Sequence, residues 1–194
     1  MGTTRRAVWL SIDLDAYHGG DADMLAGLVH AAKDAGTPSV LVKAHQQLLP
    51  FVDRAPADIL VNIDEHDDLF VKRLKRPACC EWACHVAWAS KGTYAWMHRG
   101  WGSRCDPNDH LWKKNGKGWG GWRACWDRPL EDGDEARLLS RAVALGICVS
   151  PNYCDRKLAE ALSPVLGFPM SWFDDRTSDW GDRASRRPVV LRGT

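Results

Sequence analysis

Two apolar runs, each ending in a cluster of acidic residues, constrain this chain more than any other feature. Ala7-Val8-Trp9-Leu10 leads into Ser11-Ile12-Asp13-Leu14-Asp15, and Ile59-Leu60-Val61-Asn62-Ile63 leads into Asp64-Glu65-His66-Asp67-Asp68. Short, uninterrupted apolar runs suit strands buried on both faces, as in parallel sheets covered by helices. On an extended segment residues at i, i+2 and i+4 share a face, so each motif gathers carboxylate or imidazole groups on one side. Carboxylates packed in this way repel each other and lose hydration unless a cation sits among them. Two such rims predict a site for one or two divalent metals.

The rest of the chain alternates between strand and helix patterns. Residues 21–36 carry a helical stripe of Met24, Leu25, Leu28, Val29, Ala32 and Ala35, begun by Asp21 and Asp23 and ended by Gly36. A strand over 39–42 runs into Lys43-Ala44-His45, a short helix follows to residue 52, and a strand covers 58–63. Further on, the pattern predicts a helix over 81–91, a strand over 93–97 and a helix over 134–142. A strand over 144–150 ends at Pro151-Asn152-Tyr153, and a helix over 155–166 stops at Gly167. Short links between such elements predict an α/β fold, a three-layer sandwich with a mainly parallel central sheet. The 194 residues suit one domain. Ligands of open parallel sheets bind at the carboxyl ends of the strands. Asp13 and Asp15, His45, Asp64 to Asp68, and Ser150 to Tyr153 all fall at such ends and are expected on one rim.

Two stretches break the pattern. Residues 98–130 form a Trp/Gly-rich insertion, and six of the 11 tryptophans fall between Trp96 and Trp126. The tail from residue 174 is charged, a composition that favours partial disorder. The formal net charge of +1 provides no global field for nucleic acid or an anionic membrane. No apolar run is long enough to span a bilayer, and the apolar stretch after the basic start is too short for a signal peptide. A cytoplasmic protein is expected. The seven cysteines, an odd number, are then expected as reduced thiols, with Cys148 in the core. Cys80, Cys84 and His85 with Cys105 or His110 offer a zinc-knuckle alternative, although no Cys-x2-Cys pair is present.

Aspartates with one or two histidines favour a hard to borderline divalent ion, manganese before iron, cobalt or magnesium. Two such ions can activate a water for attack on a planar carbon such as a guanidinium, amide or ester.

Asp64-x-His66-x-Asp68 resembles the Asp-x-His-x-Asp motif of the ureohydrolase superfamily, the arginases and agmatinases, and Ser11-x-Asp13-x-Asp15 resembles its Ser-x-Asp-x-Asp motif. His45 stands where those enzymes place a further histidine ligand ahead of Asp-x-His-x-Asp. The order of the two motifs is reversed here, His18 replaces the aspartate that usually follows Ser-x-Asp-x-Asp, and the chain is shorter than an arginase. These departures resemble the compact, rearranged branch that includes the peptide arginases, as do Lys43 to Phe51 and Val149 to Tyr153. The resemblance implies an arginase-like domain that converts arginine side chains in ribosomally made peptides to ornithine with release of urea. It implies two manganese ions per chain. One would be held by His45, Asp64, Asp68 and Asp13, the other by Asp64, His66, Asp13 and Asp15, with Asp64 and Asp13 bridging.

Three further residues are candidates for proton transfer. Glu81 could pair with a cationic substrate or move a proton, His85 is its rival, and His18 a third choice. A helix-start acid favoured by the dipole is the plainer reading of Glu81. Asn152 is a candidate for substrate backbone contact, and Trp119 and Trp122 for gripping an extended peptide, with nearby basic residues meeting an acidic leader. A loop packed on its own tryptophans is the plainer reading of that segment. Two other functions fit parts of the pattern. Asp13-x-Asp15 after a first strand also matches a haloacid-dehalogenase-type phosphatase, although Tyr17 and His66 have no place there. Interleaved aromatic and basic residues would also suit a non-catalytic metal-containing protein that binds peptide or, less readily, nucleic acid.

Overall fold

The computed structural model describes residues 6–69, 79–99, 121–173 and 189–191. Seven strands form one sheet: β1 (Val8–Asp13), β2 (Ser39–Val42), β3 (Ile59–Ile63), β4 (Thr93–His98), β5 (Ala124–Pro129), β6 (Ala142–Cys148) and β7 (Val189–Leu191). Their order is β5-β4-β3-β1-β6-β2-β7. The first six run parallel, and β7 joins the β2 edge antiparallel. The helices are α1 (Ala22–Asp34), α2 (Leu49–Val52), α3 (Asp134–Leu139) and α4 (Arg156–Leu166).

The sheet separates two cores, as the continuous apolar strands require. Val8, Leu10 and Ile12 of β1, with Val61, Ile63, Leu145 and Ile147, pack beneath Leu25, Leu28 and Val29 of α1 and Leu158 and Leu162 of α4. The opposite face carries Trp9, Val40, Val42, Leu60, Tyr94 and Trp96, covered by Leu48, Leu49, Trp82, Trp88 and Trp122. This is the expected three-layer α/β sandwich with a mainly parallel sheet. Gly146 is needed where Trp9 lies across β6, because a Cβ there would sit 2.6 Å from the indole ring.

β1 is the switch point of the sheet. The chain leaves it toward β2 on one side and later returns to β3 on the other, so the carboxyl end of β1 is the place where sheets of this topology bind ligands.

Several elements differ from expectation. The helix expected over 81–91 is two 3-10 turns, Cys79–His85 and Ala89–Lys91. Between them the Ala87 N–H bonds the Asp53 carboxylate at 2.8 Å rather than a carbonyl of the preceding turn. β5 lies inside the stretch that breaks the sequence pattern, and its half-exposed edge position explains the missing apolar run. β7 falls within the charged tail. Residues 100–120 of the insertion and 174–188 of the tail lie outside the described residues. Among the described residues no helix is long and apolar enough to cross a membrane.

Candidate metal centre

Both acidic motifs turn in the same way. At the end of β1 the Asp13 Oδ1 accepts the N–H of Asp15 at 3.0 Å, and just past β3 the Asp64 Oδ1 accepts the N–H of His66 at 2.7 Å. Each aspartate thus closes a tight turn over the residue two positions on, as Asp side chains readily do. The i, i+2 pairs meet through these turns rather than through an extended strand, since Leu14–Ala16 is a 3-10 turn. Asp15 and His66 then meet across the two strand ends, with His66 Nδ1 at 3.2 Å from Asp15 Oδ2.

His45, just past the end of β2, reaches the same carboxylates. Its Nδ1 lies 2.8 Å from Asp68 Oδ2, 3.2 Å from Asp13 Oδ2 and 3.3 Å from Asp64 Oδ2. Its ring stacks on Trp82 at 5.1 Å, and its Nε2 is 3.3 Å from Ser11 Oγ. A single ring nitrogen carries at most one proton, so it cannot satisfy three carboxylates by hydrogen bonding. Asp64 faces both histidines: Oδ2 is the oxygen near His45, and Oδ1 lies 3.7 Å from His66 Nδ1. Two donor groups share Asp64: His45 with Asp64 and Asp68, and His66 with Asp15 and Asp64. All six residues expected as metal ligands converge, and Asp13, Asp15, Asp64, Asp68 and His45 are buried.

Other side chains hold the carboxylates in place. Ser150 Oγ donates to Asp13 Oδ2 at 2.5 Å, Trp82 Nε1 to Asp68 Oδ2 at 2.5 Å, and Asn62 Nδ2 to Asp64 Oδ2 at 3.0 Å. Asp68 and Ser150 both adopt positive φ, 49° and 42°. Non-glycine residues in that region cluster at functional sites, where the surroundings hold them there. The roles of Trp82, Asn62 and Ser150 were not evident from the sequence. Asn62 shares the face of Asp64 by strand alternation, which was the available signal.

The electrostatics match a cation site. Burial, followed by neighbouring carboxylates, raises Asp13 and Asp64 well above the usual carboxylate range. Burial also raises Asp68, against hydrogen bonds from Asp64 and Trp82. Hydrogen bonds to Asp15 and Asp64 push His66 up to about 11. Four crowded aspartates and two imidazoles form an oxygen-rich donor set that fits a hard or borderline divalent ion.

The remaining candidates lie around this centre. Glu81 is buried and lies 3.4 Å from His85 Nε2, on the 3-10 segment that also carries Trp82. His18 is exposed, and its N–H donates to Asp21 at 2.9 Å. Asn152 is exposed in the turn after β6, beside Tyr153, whose ring meets His66 edge-on at 5.7 Å. Trp122, expected as a substrate contact, faces the second core and not an open surface. It is buried between Trp88 and Tyr94, and its Nε1 donates to the Ala83 carbonyl at 3.0 Å. Trp119 lies outside the described residues. Of the zinc-knuckle candidates, Cys105 and His110 also lie outside them, and Cys84 is buried against the second core.

No family model matches this chain, and no curated protein or solved structure matches it.

Proposed function

We propose that the chain is a binuclear metal hydrolase that opens a guanidino group, converting arginine side chains of a peptide to ornithine and urea. The observation that carries this reading is the position of Asp64, with one oxygen toward His45 and the other toward His66. A carboxylate shared in this way suits two ions held side by side. His45, Asp64, Asp68 and Asp13 would hold one, and Asp15, Asp64 and His66 the other, with manganese the ion best matched to oxygen and imidazole donors. When bound, such ions supply Lewis acidity and lower the pKa of water toward neutrality.

The protein's own groups would do the rest. Ser150, Asn62 and Trp82 orient the carboxylates, and the Trp82 ring keeps water off the buried face of His45. His66 and the exposed Tyr153 border the opening, where a flat cation such as guanidinium can meet an aromatic face. Glu81 and His85 form a pair able to hold and pass a proton. Water adds its oxygen to the guanidino carbon, the bond to the side-chain nitrogen breaks, and that nitrogen takes a proton. The phosphatase alternative needs Asp13 free for in-line attack, yet its two oxygens accept from Asp15 N–H and Ser150 Oγ.

The test is urea release by the manganese-loaded protein given arginine-containing peptides, compared with free arginine. Urea together with a peptide product carrying ornithine is the expected result. Two bound metals with no urea from either substrate would refute the guanidino chemistry while leaving the metal centre intact.

A further inference from the structure

Cys148 ends β6, and the β1–β6 register places it directly opposite Asp13. It is fully buried. Its Sγ lies 3.2 Å from Ser150 Oγ, the hydroxyl that donates to Asp13, and 3.7 Å from the Lys43 carbonyl. The ligand atoms of Asp13, His45 and Cys148 all lie within 4.8 Å of one another. The same His45 also faces three carboxylates, Asp13 at the end of β1 and Asp64 and Asp68 just past β3, an arrangement that independently calls for a cation.

We infer that Cys148 is a metal ligand, so that the ion beside His45 has a mixed sulfur, nitrogen and oxygen set. This inference rests on the metal-centre reading and deepens it. A thiolate shifts preference toward cobalt, iron(II) or zinc, whereas oxygen donors suit manganese or magnesium. The group formed by Asp15, Asp64 and His66 contains no sulfur. The two positions therefore differ in softness, and the centre takes two unlike ions, a softer one at His45 and a harder one at His66. The sulfur-free reading of the motifs, aspartates with His45 and His66, predicts two like ions.

Cobalt(II) titration of the full-length, reduced chain tests this by absorption. A thiolate bound to cobalt produces a near-ultraviolet charge-transfer band, and cobalt held only by oxygen and nitrogen does not. Wild type should show that band together with visible d–d bands. Cys148→Ser should lose the charge-transfer band, keep visible bands and bind cobalt about tenfold or more weakly. Cys154→Ser, a buried thiol outside the cluster, should keep the band. If Cys148→Ser does not fold, a chain keeping Cys148 as its one cysteine should still show the band. Visible bands without the charge-transfer band, or a band that survives in Cys148→Ser, would overturn the inference and leave the metal centre standing. Failure of wild type to take up cobalt at all would overturn both.

Discussion

The Ser150 hydroxyl reaches Asp13 Oδ2 at 2.5 Å and ties the turn after β6 to the end of β1. Ser150 holds this position from a backbone at φ 42°, a conformation that glycine adopts without cost. Ser150→Gly therefore separates backbone from hydroxyl. Stability should change little, because relief of backbone strain offsets the lost hydrogen bond. Metal affinity should fall about 10- to 100-fold, the usual effect of removing a group that orients a ligand. Calorimetric metal titration with a thermal melt reads both. Unchanged affinity would mean that Asp13 needs no orientation from Ser150.

Asp64 and Asp67 should separate metal binding from stability. Asp64 serves both donor groups, so Asp64→Ala should abolish binding of two ions and all hydrolysis. Asp13→Ala should also abolish hydrolysis, but by losing the ion beside His45, so that at most one metal stays bound. Asp67 is also buried, but its Oδ1 accepts the Leu69 N–H at 3.3 Å and its carbonyl accepts the Tyr94 hydroxyl at 2.8 Å. Asp67→Ala should cost about 1 to 3 kcal/mol of stability while leaving two metals bound. Metal stoichiometry by mass spectrometry under native conditions checks the contrast. Loss of metal in Asp67→Ala equal to that in Asp64→Ala would contradict this division of roles.

Metal uptake should release protons. Asp13, Asp64 and Asp68 are raised above the usual carboxylate range, and His66 is raised to about 11, so protons and cations compete for the same atoms. At about 11 His66 keeps its proton at neutral pH, and the raised carboxylates hold protons more readily than usual, so affinity for manganese should increase as pH rises. Titration calorimetry at pH 7 in buffers of different ionisation enthalpy should show net proton release. A binding heat independent of buffer would count against this competition.

The residues of the candidate metal centre were legible in the sequence because each depends on local chemistry. Asp13, Asp64 and His66 sit at strand ends, and aspartate two residues before a turn N–H needs no distant information. His45 followed from β2 in the same way. Trp82 did not, because it reaches Asp68 by packing over the second core. Cys148 read as core, since its burial is real and only the β1–β6 register puts it opposite Asp13. The edge strand β5 lacks the continuous apolar signal of a buried strand, and the three apolar residues of β7 are too few to stand out in the charged tail, so their positions came from pairing alone. Trp122 shows the opposite error: aromatic density suggested a binding surface, yet its indole fills the core beside Trp88.

That placement predicts the response to mutation. Trp122→Ala removes a fully packed indole and its bond to Ala83, at a cost of about 3 to 5 kcal/mol. Thermal melting should show a large drop in Tm. A stable variant with a raised KM for peptide would instead restore Trp122 as a substrate contact.

Acid stability should depend on a group remote from the metal centre. Asp134, at the start of α3, accepts from Arg128 Nη1 at 2.7 Å, Arg128 Nη2 at 2.8 Å, Arg137 at 2.8 Å and the Glu131 N–H at 2.9 Å. The Arg128 guanidinium is the main cause that holds its carboxyl down at about 2, from an ordinary 3.8. A depressed value in the folded state contributes stability above the unfolded pKa, and that contribution is lost as pH falls through the folded one. Asp134→Asn should therefore cost at most about 2 kcal/mol at neutral pH, since Arg128 is partly exposed and water screens the pair. The difference from wild type should shrink as pH drops from 3.8 toward about 2. Urea unfolding of both proteins across that range measures it. A gap that stays constant with pH would show that the loss comes from helix-start hydrogen bonding and not from the charge of Asp134.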